Sequence, residues 1–252
     1  RGLASVRGEE LGGYNPNTLG WISLLYLAVA PTIALTSITK KEKKRWWYFY
    51  SGLVLMIIFS FSRAAMFGLI ATSILLFIFL GKHFGNYKKI LFPTFLGFFT
   101  LYVVWTLAVN QGIMNPGRGM NVVAQMPEIN IRIAMIIRGW QLVFENPFGL
   151  SKIKVGTHSA FTKAALDYGL SYFFLWVIAF GYLIKTSFSI SIRHVDSNQR
   201  ILATGIMVSG LVGVMQGIFG ITMFDASYAQ VFWLFIGYIQ LMKKDEKRII
   251  IT

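Results

Sequence analysis

Between Trp46 and Gly81 a single residue, Arg63, carries a charge; the stretch reads WWYFYSGLVLMIIFSFSRAAMFGLIATSILLFIFLG. One helix of that length would measure about 54 Å at 1.5 Å per residue, far more than a hydrocarbon core of roughly 30 Å. Two short passes with a break near Ser62-Arg63 fit better. A guanidinium at membrane depth costs roughly 2.5–3.5 kcal/mol on insertion scales, and such residues usually serve a pathway or a substrate.

Other apolar runs fall at about 18–39, 90–110, 167–186, 201–220 and 226–242. With the two at 46–62 and 64–81 they predict about seven transmembrane helices, an all-α polytopic fold. The chain is 55% hydrophobic and 13% charged, too little charge for the surface of a soluble domain of 252 residues. A formal charge of +14 raises the possibility of nucleic acid, but its distribution excludes it. KKEKKR (40–45), KHFGNYKK (82–89), KTSFSISIRHVDSNQR (185–200) and KKDEKR (243–248) carry 15 of the 24 Lys and Arg. Seven passes put all four on one side, which the positive-inside rule makes cytoplasmic. There is no cysteine, so neither disulfides nor thiolate metal sites are expected. The sequence opens at Arg1 without a signal-peptide pattern, and residues 1–252 are expected to be one membrane domain of a longer chain with earlier helices.

The outer face then receives residues 1–17, the tip at Arg63, a long segment at about 111–166 and a turn near 221–225. The long segment holds turn signals (Asn115-Pro116-Gly117, Pro127, Asn146-Pro147), a helical stretch over 129–145 and a loop leading to His158. On that helix Arg132 shares a face with Met135, Ile136, Gly139 and Val143, toward the membrane domain. It is either a snorkelling anchor or a ligand for an anion. Arg138 falls with Ala134, Gln141 and Glu145 on the wetter side, where solvation explains it.

His158 opens a helix read as HSAFTKAALDYGLSYFF, with Thr162, Ala165 and Gly169 as a small-residue strip that permits close approach. It is either an interfacial side chain or a catalyst. Lys163 and Asp167, four apart, can pair with each other. His83 and His194 lie in the basic loops and receive no role. Glu128, Glu145 and Asp167 do not stand at metal-ligand spacing with His158, and no nucleotide-binding glycine loop or serine-nucleophile elbow is present. No metal or cofactor is expected. Arginine forks match phosphate oxygens, so the outer arginines favour a lipid phosphate or pyrophosphate as guest.

Several motifs occur in a set order: Tyr14-Asn15-Pro16-Asn17 before a helix, Ser62-Arg63-Ala64 between helices, and Arg132 fifteen residues ahead of Pro147. Glu145-Asn146-Pro147-Phe148-Gly149, His158 and then Asp167-Tyr168-Gly169-Leu170, opening the next helix, follow. In this the chain resembles, over nearly its whole length, the O-antigen ligase and polymerase family of bacterial membrane glycosyltransferases. The resemblance implies an inverting, metal-independent transfer of a glycan from an undecaprenyl-diphosphate carrier to a sugar hydroxyl. The acceptor is a growing glycan or lipid A-core, and the active face is the periplasmic side of the inner membrane. It implies that Arg63 and Arg132 hold the pyrophosphate and that His158 acts on the acceptor hydroxyl, with Arg138 and Asp167 as further substrate contacts. Family members commonly have Asn after the histidine; here Ser159 follows it.

Two other readings compete. A ligase passes a finished chain to its acceptor, whereas a polymerase extends the chain on the carrier. A transporter or flippase would place Arg63 on a translocation path, with inverted repeats and broken helices in both halves. Only one broken hairpin, 46–81, is evident.

Overall fold

The computed structural model describes residues 16–59, 63–81, 122–150, 159–219 and 226–251, with positions 96, 97, 100 and 104. Within its helices it does not describe the side chains of 16–19, 21, 59, 63–64, 122–130, 132, 219, 226–228 and 245–251. Among the described residues every regular element is an α-helix: α1 (Pro16–Thr36), α2 (Lys40–Phe59), α3 (Arg63–Leu80), α4 (Val122–Glu145), α5 (Ala160–Tyr168), α6 (Leu170–Arg193), α7 (Ser197–Phe219) and α8 (Ala226–Ile251).

Helix α7 is the axis of the bundle. It packs against α1, α3, α5, α6 and α8, and α1 also packs against α2 and α3. Small residues permit this. A Cβ on Gly205 would sit 2.6 Å from Thr32 Oγ1 and 3.0 Å from the Ala28 carbonyl, so only glycine lets α1 and α7 close to that distance. One turn on, the Ser209 hydroxyl donates to the Leu25 carbonyl at 3.0 Å, a direct hydrogen bond between the two helices. Phe180 of α6 meets Phe232 of α8 with centroids 4.4 Å apart and rings tilted by 41°, flanked by Trp176 and Trp233.

Polarity is distributed inside-out. Thr72, Ser187 and Ser209 are fully buried, while Phe174, Leu175, Val177 and Ile178 of α6 and Phe67, Ile74, Phe77 and Ile78 of α3 are exposed. The buried hydroxyls are satisfied locally: Thr72 donates to Gly68, Ser73 to Leu69 and Ser187 to Leu183, each to the carbonyl one turn back. By length and composition two helices can cross a membrane, Leu170–Arg193 and Ser197–Ile218; Ile22–Thr36 and Ala65–Leu80 are apolar over shorter lengths.

Several boundaries differ from the sequence reading. The break expected near Ser62-Arg63 is present, since α2 ends at Phe59 and α3 begins at Arg63. The segment 40–45 is not a loop but the first turns of α2. Thr39 caps it, accepting from the Glu42 amide at 3.2 Å and donating its hydroxyl to the Glu42 carboxylate at 3.0 Å, a side-chain cap that starts a helix on charged residues. Helix α4 starts at Val122 rather than 129, and Pro127 lies inside it instead of marking a turn. As the sixth residue of the helix Pro127 lies past the four amides that have no helical partner, so α4 forgoes one backbone bond, to the carbonyl of residue 123. In the 90–110 run, positions 96, 97, 100 and 104 are helical, and Gly97 is buried against Val54 and Ile58 of α2.

The largest difference is at Gly169. The sequence suggested one helix running from His158 into the 167–186 run; two helices, α5 and α6, meet there instead. Gly169 has φ +88°, a conformation that costs a side-chain-bearing residue and ends the helix. The reason is tertiary. Gly149, at φ +94°, lies against it, and a Cβ on Gly149 would be 2.9 Å from the Gly169 nitrogen. A Cβ on Gly169 would in turn be 3.0 Å from the Pro147 carbonyl oxygen. That carbonyl accepts from the Leu170 amide at 2.9 Å, and the Leu150 amide donates to the Leu166 carbonyl. The segments Asn146-Pro147-Phe148-Gly149 and Asp167-Tyr168-Gly169-Leu170 therefore interlock as one joint among α4, α5 and α6.

Candidate functional site

Helix α5 is short and almost wholly inside the protein: Ala160, Phe161, Thr162, Ala164, Ala165 and Leu166 are all buried. Its start is fixed by Ser159. The Ser159 hydroxyl accepts from the Thr162 amide at 3.3 Å, a side-chain N-cap, and donates to the Gly217 carbonyl of α7 at 3.2 Å. The residue that departs from the expected family pattern thus ties the first turn of α5 to the last turn of α7. The far end of α5 packs Ala165 and Leu166 against Val143, Trp140 and Leu142 of α4.

Three helix directions place the Ser159–Gly217 joint of α5 and α7 at one end of the bundle. Ser209 bonds Leu25, and Gly205 meets Ala28 and Thr32, so α7 runs antiparallel to α1 and its last turns approach the start of α1. Tyr26 and Phe49 rings are 6.4 Å apart, so α2, joined to α1 by residues 37–39, returns toward the same end. Helix α3 starts there, and Gly68 lies against Leu24 of α1. Arg63 begins α3 about 7.5 Å beyond that level, at 1.5 Å per residue. The backbone of Arg63 and the neighbour of His158 therefore occupy the same end as Gly217.

His158 itself lies outside the described residues, and so do the side chains of Arg63 and Arg132. Arg132 lies within α4 at the register read from the sequence. Of its expected face, Met135 and Ile136 are half-buried, and Gly139 and Val143 are buried. Arg138 is exposed, as are Ala134, Gln141 and Glu145 on its side of the helix. Asp167 is half-buried, and its carbonyl oxygen would be 3.2 Å from a Cβ on Gly149. Thr162, Ala165 and Gly169, the expected small-residue strip, are all buried, so protein occupies that close approach. Among the described residues no cluster of His, Cys, Asp and Glu could hold a metal ion.

Two residues at this end received no polar role from the sequence. Gln216 is 4% exposed, and among the described residues neither its Oε1 nor its Nε2 has a hydrogen-bond partner. Thr162 is fully buried and its Oγ1 is also unpartnered. A buried polar group left unpaired costs about 1–3 kcal/mol, so two of them beside one joint need an explanation. A glutamine inside the uncharged run 201–220 was the available signal.

Among the described residues the opposite end also holds buried polar atoms without a hydrogen-bond partner, Trp47 Nε1, His194 Nε2, Gln199 Oε1 and Arg200 Nε. His194, unassigned from sequence, is buried at 3% exposure and caps α6, its Nδ1 accepting from the Asp196 amide at 3.1 Å. Asp196 Oδ1 in turn accepts from the Asn198 amide at 2.8 Å, which caps α7. That histidine has a structural task.

No protein-family model, curated protein or solved structure matches this chain.

Proposed function

We propose that the chain spans a bacterial cytoplasmic membrane in about seven passes and transfers a glycan from an undecaprenyl-diphosphate-linked donor to a sugar hydroxyl on the extracytoplasmic side. The inside-out surface supports the membrane assignment: apolar side chains cover α3 and α6 outwardly, while hydroxyls are buried. The observation that carries the reading is the shared end. Helix α3 begins with Arg63 where Ser159, next to His158, is bonded to Gly217.

The chemistry follows from those residue types. The acceptor oxygen attacks the anomeric carbon from the face opposite the diphosphate, and the bond from that carbon to the phosphate oxygen breaks. The hydroxyl proton passes to the neutral imidazole of His158. Negative charge gathers on the departing undecaprenyl diphosphate, where the guanidinium groups of Arg63 and Arg132 stabilise it in a low-dielectric site. Arg138, on the exposed side of α4, and Asp167, at the α5–α6 joint, have lesser roles in positioning the glycan. Bilayer lipid surrounds the outer faces, and the polyprenyl tail lies among it.

Single replacement of Arg63, Arg132 or His158 by Ala in the complete protein tests this. Each is expected to lower glycan transfer at least about 100-fold, in the range of a lost acid–base group or charge-stabilising donor. Retained activity in all three removes the proposed site. A deletion strain separates the two transfer reactions. Single-repeat lipopolysaccharide identifies a polymerase, and long chains left on the carrier identify a ligase.

A further inference from the structure

The two unpartnered groups near the α5–α7 joint share a property that narrows what could bind them. A carboxamide both donates and accepts, and so does a hydroxyl. Because both ends of Gln216 are free, the conclusion does not depend on which end is nitrogen. An anion would leave the acceptor end of the amide unpaired. A sugar hydroxyl, itself donor and acceptor, satisfies both residues.

Position agrees with chemistry. Thr162 follows Ser159 by one turn, its amide bonded to the Ser159 hydroxyl. Gln216 precedes Gly217, whose carbonyl receives that same hydroxyl. Two turns back from Gln216, on the same face of α7, Ser209 bonds α1. Gln216 therefore belongs to the side of α7 turned toward α1, at the end where α3 begins with Arg63.

The contrast with other buried polar groups is informative. Thr72, Ser73, Ser187 and Thr204 all return their hydroxyls to a carbonyl of their own helix. Thr162 sits in a helix too, yet its hydroxyl makes no such bond. Ser159 and Ser209 give theirs to a carbonyl of a neighbouring helix, so among these buried hydroxyls of the described residues each has found an acceptor, and Thr162 departs from them near Gln216.

We infer that Thr162 and Gln216 form a subsite for sugar hydroxyls at this end of the bundle. The inference rests on the transfer reading for the source of the sugar, either the carrier-linked donor glycan or the acceptor. It predicts that binding of a glycan, apart from its transfer, depends on both residues.

The test is equilibrium binding of two probes to the full chain in lipid nanodiscs: the undecaprenyl-diphosphate-linked glycan and a free acceptor oligosaccharide. Gln216→Met and Thr162→Val keep volume while removing hydrogen bonds. Each is expected to weaken one probe by roughly tenfold, the size of one lost hydrogen bond, and to leave the other unchanged. The probe affected identifies the source. Thr162→Ser should restore the affinity that Thr162→Val loses. Unchanged binding of both probes, with altered thermal unfolding alone, overturns the subsite and leaves the pair as packing. If Gln216→Met does not fold, Thr162→Val and Thr162→Ser decide. Binding is read without turnover, so loss of the transfer reading and loss of this subsite are separate results.

Discussion

Helices α6 and α7 are alike in length and apolar composition, and opposite in surroundings. Helix α7 is enclosed by five neighbours; Ala203, Ile206, Met207, Val208, Ser209 and Val212 are all buried. Helix α6 buries one stripe, Trp176, Phe180, Leu183, Ser187 and Ile190, and turns Phe174, Leu175, Ile178 and Ile192 outward. An apolar helix with a bare apolar face calls for an apolar cover, whereas an enclosed one needs only small residues where its neighbours close in. The difference teaches which substitutions report on the proposed bilayer and which on the bundle.

The largest expected effect falls on the bare face. Ile178, 66% exposed, replaced by Lys should cost about 2.5–3.5 kcal/mol of insertion free energy and sharply lower membrane accumulation. If the variant accumulates normally, water covers α6 and the comparison fails. Next is Gly205→Leu in α7, which drives a side chain into Thr32 and Ala28 and should cost about 3 kcal/mol, read as reduced thermal stability in micelles. A smaller loss, about 1 kcal/mol, is expected for Ser209→Ala, which removes the hydroxyl bond to Leu25 by the same measurement. Gly181→Leu should change stability by less than about 0.5 kcal/mol, because nothing lies within 4 Å of a Cβ there on α6. Equal losses for Gly205→Leu and Gly181→Leu would erase the distinction between the two helices.

The same contrast explains what the sequence made legible. Hydrophobic runs and the single charge at Arg63 were enough to place the α2–α3 break, because helix length against membrane thickness is a local argument. The break at Gly169 was legible only in part: the motif Asp167-Tyr168-Gly169-Leu170 read as opening a helix, but the stretch from His158 read as continuous with it. Gly169 read as one more small residue in a strip, and its positive φ has meaning only beside Gly149, twenty residues earlier in the chain and in contact through the Pro147 carbonyl. The burial of α4 along Gly139 and Val143 followed from helical periodicity, whereas its start at Val122 did not, since Pro127 suggested a turn. Gln216 was passed over because charge served as the marker of function in apolar segments, and an amide carries none. Its lack of a partner is a tertiary fact. Ser159 was noted only as a departure from a motif; its bond to Gly217 gives that departure a structural task.

The central claim is that Arg63, Arg132 and His158, far apart in sequence, meet at the end of the bundle where α3 begins and α5 is tied to α7. The chain has no cysteine, which makes paired cysteines a clean probe. Cys at 63 with Cys at 158, and Cys at 132 with Cys at 158, should each cross-link through a short bismaleimide in intact membranes. Failure of both pairs, with single cysteines still reactive, would place these groups on separate surfaces and contradict the account.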